Sequence, residues 1–246
     1  MKLKVLGSGS AGNCYILDNG KEALVIEAGI RFAEVKEAVG FDISRIAGCL
    51  VSHEHNDHAR YVQNFFDARI PVYMTGGTAK ALGVKSASGL RCCRSLSMGS
   101  VGGFGFIPFG VQHDAAEPAG FLIKHEETGN VLFATDTYYL RYCFVGLSNI
   151  LIECNYSHEI LDKNTQDGSV SEAQRKRTTK SHMSYKTCRE TLLANDLQAV
   201  NNIVLIHLSD GNSSAEEFKQ GIRQATGKTV HIAEKGLNIN FNKTPF

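Results

Sequence analysis

The chain predicts a fold of mixed strands and helices, α/β or α+β, and three observations carry that prediction. Its 246 residues are 43% hydrophobic, enough to bury one large core, and chains of this length in these classes often fold as a single domain. Short apolar runs rich in β-branched and aromatic residues recur along the whole length, separated by Gly, Asn and Asp. Between them lie segments whose apolar residues return at helical spacing. No linker interrupts this pattern, so residues 1–246 read as one domain.

Taken in order, strands are expected near residues 2–7, 13–18, 22–27, 48–52, 104–112, 121–125, 130–135, 149–153, 203–206, 230–233 and 237–241. The second and third flank Asn19-Gly20, a two-residue hairpin signal. Arg31 to Val39 places Phe32, Val35 and Val39 on one helical face and stops at Gly40, and Val62, Phe65 and Phe66 repeat at helical spacing within Ala59 to Phe66. Ser184 caps a helix bearing Cys188, Leu192 and Leu193. Ser214-x-x-Glu217 reads as a capping box opening a helix with Phe218 and Ile222 that ends at Gly227.

Composition narrows the setting. There is no N-terminal apolar leader and no run of 18 apolar residues, so neither secretion nor membrane insertion is expected. The seven cysteines are odd in number and lack C-x-x-C spacing, which favours reduced, mostly buried thiols and a cytoplasmic location over disulfides or a zinc finger. Nothing in the sequence fixes the oligomeric state.

The most specific feature is Ser52-His53-Glu54-His55-Asn56-Asp57-His58, which reads H-x-H-x-D-H. Its expected chance frequency in a chain of this composition is roughly 5 in 10,000, so a histidine-rich surface loop is a poor explanation. The run lies between a strand-like segment and a helical one. His53 and His55, two apart, can serve one point, while Asp57 and His58 at the start of the helix turn to another, a geometry that suits two metals. Imidazole and carboxylate donors suit zinc, with manganese or iron as alternatives. Further donors, His113, Asp136 and His207, each follow an apolar strand-like run. Each alone reads as a hydrogen-bonded buried residue, and the H-x-H-x-D-H run reverses that reading.

With Gly7-Ser8-Gly9-Ser10-Ala11-Gly12-Asn13-Cys14, Ser52 to His58, Phe109 to Pro118, Ala134-Thr135-Asp136, Ser181-His182-Met183-Ser184 and Ile206-His207-Leu208-Ser209, the chain resembles the metallo-β-lactamase superfamily, and within it the YycJ/WalJ-like branch. The resemblance implies a four-layer αββα sandwich of two mixed sheets flanked by helices. It also implies two divalent metal ions, one on His53, His55 and His113, the other on Asp57, His58 and His207, with Asp136 between them. One departure stands out: Ile26-Glu27-Ala28-Gly29 has Glu where such proteins commonly have Asp, which puts a contact behind a ligand in question.

The opening glycines also fit G-x-G-x-x-G, a dinucleotide fingerprint, but that motif requires a following helix. A strand follows instead. The glycines are therefore expected to bring the backbone close to the metal edge or to a phosphate.

The resemblance implies a phosphodiesterase, and specifically a nuclease of the 5′-end exonuclease kind, acting on DNA or RNA. Asp57 would orient the attacking water and His182 would serve the leaving oxygen. Directly before His182, Gln174 to Lys180 packs four cations into seven positions, and Arg175, Lys176 and Arg177 are expected to hold backbone phosphates of a nucleic acid. The competing readings are hydrolysis of a thioester, lactone or cyclic phosphodiester, a non-catalytic binding module on the same scaffold and, for the basic run, a solvated face.

Overall fold

The computed structural model describes residues 1–244, so Pro245 and Phe246 of the expected 1–246 domain lie outside the described residues. Its strands are β1 (Lys2–Gly7), β2 (Cys14–Asp18), β3 (Ala23–Ile26), β4 (Ile46–Leu50), β5 (Val72–Thr75), β6 (Leu90–Cys93), β7 (Gly99–Val101), β8 (Phe104–Gly110), β9 (Ala119–His125), β10 (Gly129–Ala134), β11 (Leu147–Glu153), β12 (Asn202–Ile206), β13 (Thr229–Ile232) and β14 (Asn238–Asn240). They form two seven-stranded mixed sheets, ordered β14-β1-β2-β3-β4-β5-β6 and β13-β12-β11-β10-β9-β8-β7.

The helices are α1 (Phe32–Ala38), α2 (Asn56–Ala59), α3 (Val62–Asp67), α4 (Gly76–Ala81), α5 (His158–Gln166), α6 (Glu172–Ser181), α7 (Tyr185–Leu193) and α8 (Ala215–Thr226). Three apolar clusters define the layers. Leu3, Tyr15, Phe104, Phe121, Phe133 and Val204 fill the space between the sheets. Val35, Phe65, Val72 and Ala79 pack beneath α1, α3 and α4 on the outer face of the first sheet, and Leu192, Phe218 and Ile222 of α7 and α8 cover the second. This is the four-layer αββα sandwich.

The expected strands appear with ends moved by about two residues, the usual fraying of assignments. Three strands are additional. β5 is only Val-Tyr-Met-Thr, β6 is interrupted by exposed Arg91, and β7 is Gly-Ser-Val on an edge, so none shows a strand-length apolar pattern. The hairpin after β2 has a four-residue connection, Asn19 to Glu22, because Asp18 pairs with Ala23 and the Asn19 side chain accepts from the Lys21 and Glu22 N–H groups at 2.9 Å. The helix expected over Ala59 to Phe66 is broken at Tyr61, whose φ of −108° lies outside the helical well. Ser184 caps α7 by accepting from the Thr187 N–H. Ser214 makes no such bond, since its ψ of 96° falls short of the 140–160° of the working serine and threonine caps Ser157, Ser171, Ser184 and Thr75, whereas Gly227 (φ 68°) ends α8 as expected.

Candidate metal centre

β4 delivers the histidine run to the edge of the first sheet. His55 has extended backbone (φ −61°, ψ 147°) and caps α2, which puts Asp57 and His58 in its first turn. The glycine segment lies directly behind. The Asn13 N–H and Nδ2 donate to the Asp57 carbonyl at 2.7 and 3.2 Å, and the Ala28 N–H donates to the His58 carbonyl at 2.7 Å. A Cβ on Gly29 would stand 1.8 Å from that same Asp57 carbonyl, and one on Gly12 2.5 Å from the Gly29 carbonyl. The glycines thus let backbone press on backbone behind the ligand loop. Because β2 follows, no helix N-terminus is present to hold a pyrophosphate, and the dinucleotide reading falls.

The second sheet supplies its donors one strand at a time. β10, β11 and β12 are parallel neighbours, so their C-terminal ends share one edge. Asp136 follows β10, Glu153 ends β11 and His207 follows β12, while His113 comes from the loop after β8. Asp136 and His207 hold φ of 44° and 54°, a left-handed backbone that non-glycine residues adopt only at a cost, here at two neighbouring donors. The Ser8 hydroxyl accepts from the His207 N–H at 2.8 Å and helps keep it there.

All seven expected donors converge. His53, His55, His113 and Asp136 form one group and Asp57, His58, Asp136 and His207 a second, with donor atoms in each group within 4.8 Å of one another. Asp136 Oδ2 lies 3.6, 3.4 and 3.4 Å from Nε2 of His53, His58 and His113, and Asp136 Oδ1 lies 3.4 Å from His207 Nε2. Asp57 Oδ2 is 3.2 Å from His58 Nε2 and 3.3 Å from His207 Nε2. His55 Nδ1 sits 3.1 Å from His53 Nε2 and 3.2 Å from His113 Nε2. Donors about 2.0–2.2 Å from a common centre are separated by about 3.0–3.6 Å, so these spacings fit the edges of coordination polyhedra.

Three of the rings are held from their far side in a matching way. His113 Nδ1 donates to the Ser181 carbonyl at 2.9 Å, His53 Nδ1 lies 2.9 Å from the Ser52 hydroxyl, and His58 Nδ1 lies 3.4 Å from the Glu27 carboxylate. Such outer contacts leave Nε2 free to donate its lone pair inward. Glu27 therefore reaches behind His58 despite replacing the usual Asp, and it also accepts from the Ser52 N–H at 3.3 Å.

Charge is concentrated here. Burial opposes ionisation of Asp136, yet His207, His58 and His53 hold its carboxyl well below the usual range. Burial also opposes a charge on His58, but Asp136 and Glu27 lift its pKa well above normal, and Asp136 and Asp57 lift His207 in the same way. Burial depresses His53 and His113, with neighbouring His58 adding to the effect on His53. Four carboxylates, Asp57, Asp136, Glu27 and Glu153, border this one centre, a field suited to two doubly charged cations.

His182, at the C-terminal end of α6, joins Asp136, Glu153 and His207 in a third cluster. Its Nδ1 donates to Glu153 Oε1 at 2.7 Å. Fully buried Glu153 also accepts from the Thr137 N–H at 2.7 Å and the Met183 N–H at 3.2 Å. Burial would lower the His182 pKa, but Glu153 outweighs it and raises the value to about 9. Glu153 went unrecognised in the sequence although a signal existed: a lone carboxylate closing the apolar run Ile150 to Ile152, as Asp136 and His207 follow theirs.

A cavity of about 580 Å³ opens over the donors, walled by Asn164, Ser169, Gln174, Arg177, Thr178 and Ser209 among others. The basic run is not an extended strip but α6, opened by Ser171, whose hydroxyl accepts from the Gln174 N–H. A helix distributes three consecutive side chains around its axis. Arg177 lines the cavity, Arg175 pairs with Asp162 at 2.7 Å, and exposed Lys176 is not among the cavity's lining residues.

Residues 7–148 match the family model of the metallo-beta-lactamase superfamily. Over 98% of its length the chain is 27% identical to the exodeoxyribonuclease WalJ of Streptococcus pneumoniae, covering 92% of that protein. It is equally 27% identical, over 97% of its length and 92% of the relative's, to the exodeoxyribonuclease YycJ of Bacillus anthracis. Among solved structures, the metallo-beta-lactamase fold protein YhfI of Bacillus subtilis superposes with a TM-score of 0.73 at 15% identity, over 97% of this chain and 99% of that one. Among the described residues, no helix is long and apolar enough to cross a membrane.

Proposed function

From the premise that the chain belongs to the metallo-β-lactamase superfamily, we propose that it is a dinuclear metal-dependent phosphodiesterase, an exonuclease that trims DNA. The observation that carries this reading is the pairing of two donor groups sharing Asp136 with a cavity whose wall is polar and holds Arg177. A wall of amides, hydroxyls and a guanidinium suits a phosphodiester better than the acyl chain of a lactone or thioester.

His53, His55 and His113 would hold one cation, Asp57, His58 and His207 the other, and Asp136 both. Bound there, divalent ions supply Lewis acidity and lower the pKa of water. The remaining chemistry belongs to the chain's own groups. Asp57 Oδ2 contacts His58, His207 and Asn13, which leaves Oδ1 to accept a hydrogen bond from the attacking water and orient it. His182 has its Nδ1 occupied by Glu153, so Nε2 is the nitrogen left to protonate the departing sugar oxygen. The buried Glu153 carboxylate favours the charged, proton-bearing form of the ring. Arg177 holds a phosphate of the incoming strand.

Asp136→Ala tests the reading. It removes the carboxylate common to both groups, so end-labelled DNA should no longer be shortened and bound metal should fall below two equivalents. Full metal content with full activity in that variant would disprove the ligand assignment. Wild-type protein that hydrolyses lactones or thioesters but no oligonucleotide would disprove the nuclease reading.

A further inference from the structure

The segment joining β10 to β11 carries four aromatic residues, and the fold treats them in two ways. Tyr142 and Phe144 pack on Phe109 with ring centroids 5.7 and 4.9 Å away, and Leu140 is buried beside them, which anchors the segment to the second sheet. Tyr138 and Tyr139 are left in water, 43% and 51% exposed. Among the described residues neither ring stacks on another aromatic and neither hydroxyl has a hydrogen-bond partner.

Their backbone, by contrast, is fixed to the metal centre. The Thr137 N–H donates to Glu153 at 2.7 Å, the Tyr138 N–H donates to the Gln112 carbonyl at 3.2 Å, and the Thr137 hydroxyl donates to the Tyr139 carbonyl at 2.8 Å. Gln112 precedes His113 and Thr137 follows Asp136, so the two tyrosines sit on the backbone that positions the donors. Tyr138 is two residues from Asp136, which bounds their separation at about 7 Å. Arg141 donates to the Gln112 side chain at 3.0 Å and adds a cation to the same segment. Beside it opens a second cavity of about 510 Å³, lined by Tyr138, Tyr139, Arg141, Thr187, Glu190 and Asn195.

Two adjacent exposed rings on a held backbone, with a guanidinium alongside and the candidate metal centre's Asp136 two and three residues away, match the chemistry of unpaired nucleobases. Bases in a duplex already stack on each other, whereas those of a single strand present free π faces next to charged phosphates. Resting on the nuclease reading above, we propose that Tyr138 and Tyr139 form a stacking platform for the bases of a single strand whose end enters the metal centre. Arg141 receives its phosphates.

The test is binding of the metal-loaded protein, by fluorescence anisotropy, to a phosphorothioate-linked oligothymidylate and to an abasic strand of equal length. The combined Tyr138→Ala and Tyr139→Ala variant should bind oligothymidylate about tenfold or more weakly and the abasic strand unchanged. Tyr138→Phe with Tyr139→Phe should keep full binding, because the π faces remain. Equal losses on both strands, or none on either, would overturn the platform. So would wild-type protein that binds the two strands alike. Cleavage of end-labelled DNA, measured separately, reads the nuclease assignment: its absence together with base-dependent binding would reject that assignment and leave the platform standing.

Discussion

The donor cluster and the α6 wall border the same cavity, yet the chain holds them by opposite means. His53, His58, Asp136 and His207 are each at most 4% exposed, and their loops are tied by main-chain bonds to the glycine segment and to parallel strand ends. Two of them keep left-handed backbones that only such surroundings sustain. Across the cavity, the Arg177 side chain is 69% exposed and meets a carboxylate, Asp114, only at 3.7 Å. Water and salt screen that side, whereas burial amplifies every charge on the other. Changes in the cluster should therefore act almost as switches, and changes in the wall as graded, salt-dependent adjustments.

His182 tests the contrast most severely, because it directly follows the wall's helix but belongs electrostatically to the cluster through Glu153. His182→Ala should retain both metals and slow oligonucleotide cleavage by ~10²–10⁴, the scale of a lost general acid. A p-nitrophenyl phosphodiester, whose leaving group needs no proton, should suffer much less. Equal losses on both substrates would reassign the ring to phosphate positioning.

The protonation of the same ring gives a second, smaller effect. In metal-free protein the His182 ring should titrate near pH 9 by NMR and drop toward its ordinary value in Glu153→Gln, since the buried carboxylate is what favours the charged form. A raised pKa means that the acid form prevails below it. Oligonucleotide cleavage should hence decline as pH rises, starting at or below 9 because bound cations disfavour the imidazolium. A profile that keeps climbing through this range would remove the proton donor from the mechanism.

How much was legible follows the same division. The cluster's donors were readable because chemistry demands particular residue types, and H-x-H-x-D-H packs four of them before a helix. The remaining donors were readable because each follows an apolar strand-like run. Glu153 and Asn155 were missed, although Asn155 donates to the His207 carbonyl at 2.7 Å, since a residue that braces a ligand carries no spacing signature. The basic run was visible as charge, but its helical form was overlooked despite Ser171-x-x-Gln174, and with it the fact that consecutive cations face different ways. Short edge strands such as β7 escaped because three residues display no period. Side-chain chemistry was legible where function constrains it, and local geometry was not where only tertiary packing decides it.

The least effect is expected on the wall, and its pattern matters more than its size. Of Arg175, Lys176 and Arg177, only Arg177 lines the cavity, while Arg175 is held by Asp162. Arg177→Ala should reduce the salt dependence of DNA binding by about 0.7–0.9 in the log–log slope, the value of one phosphate contact, with cleavage of a small phosphodiester almost unchanged. Replacing all three should reduce it scarcely further, because the other two side chains are not on the strand's path. A slope that falls in three equal steps would instead mean that the strand runs along the helix as a continuous basic track. A slope indifferent to Arg177 would make α6 a solvated face, and the polar cavity would then have to bind its substrate without it.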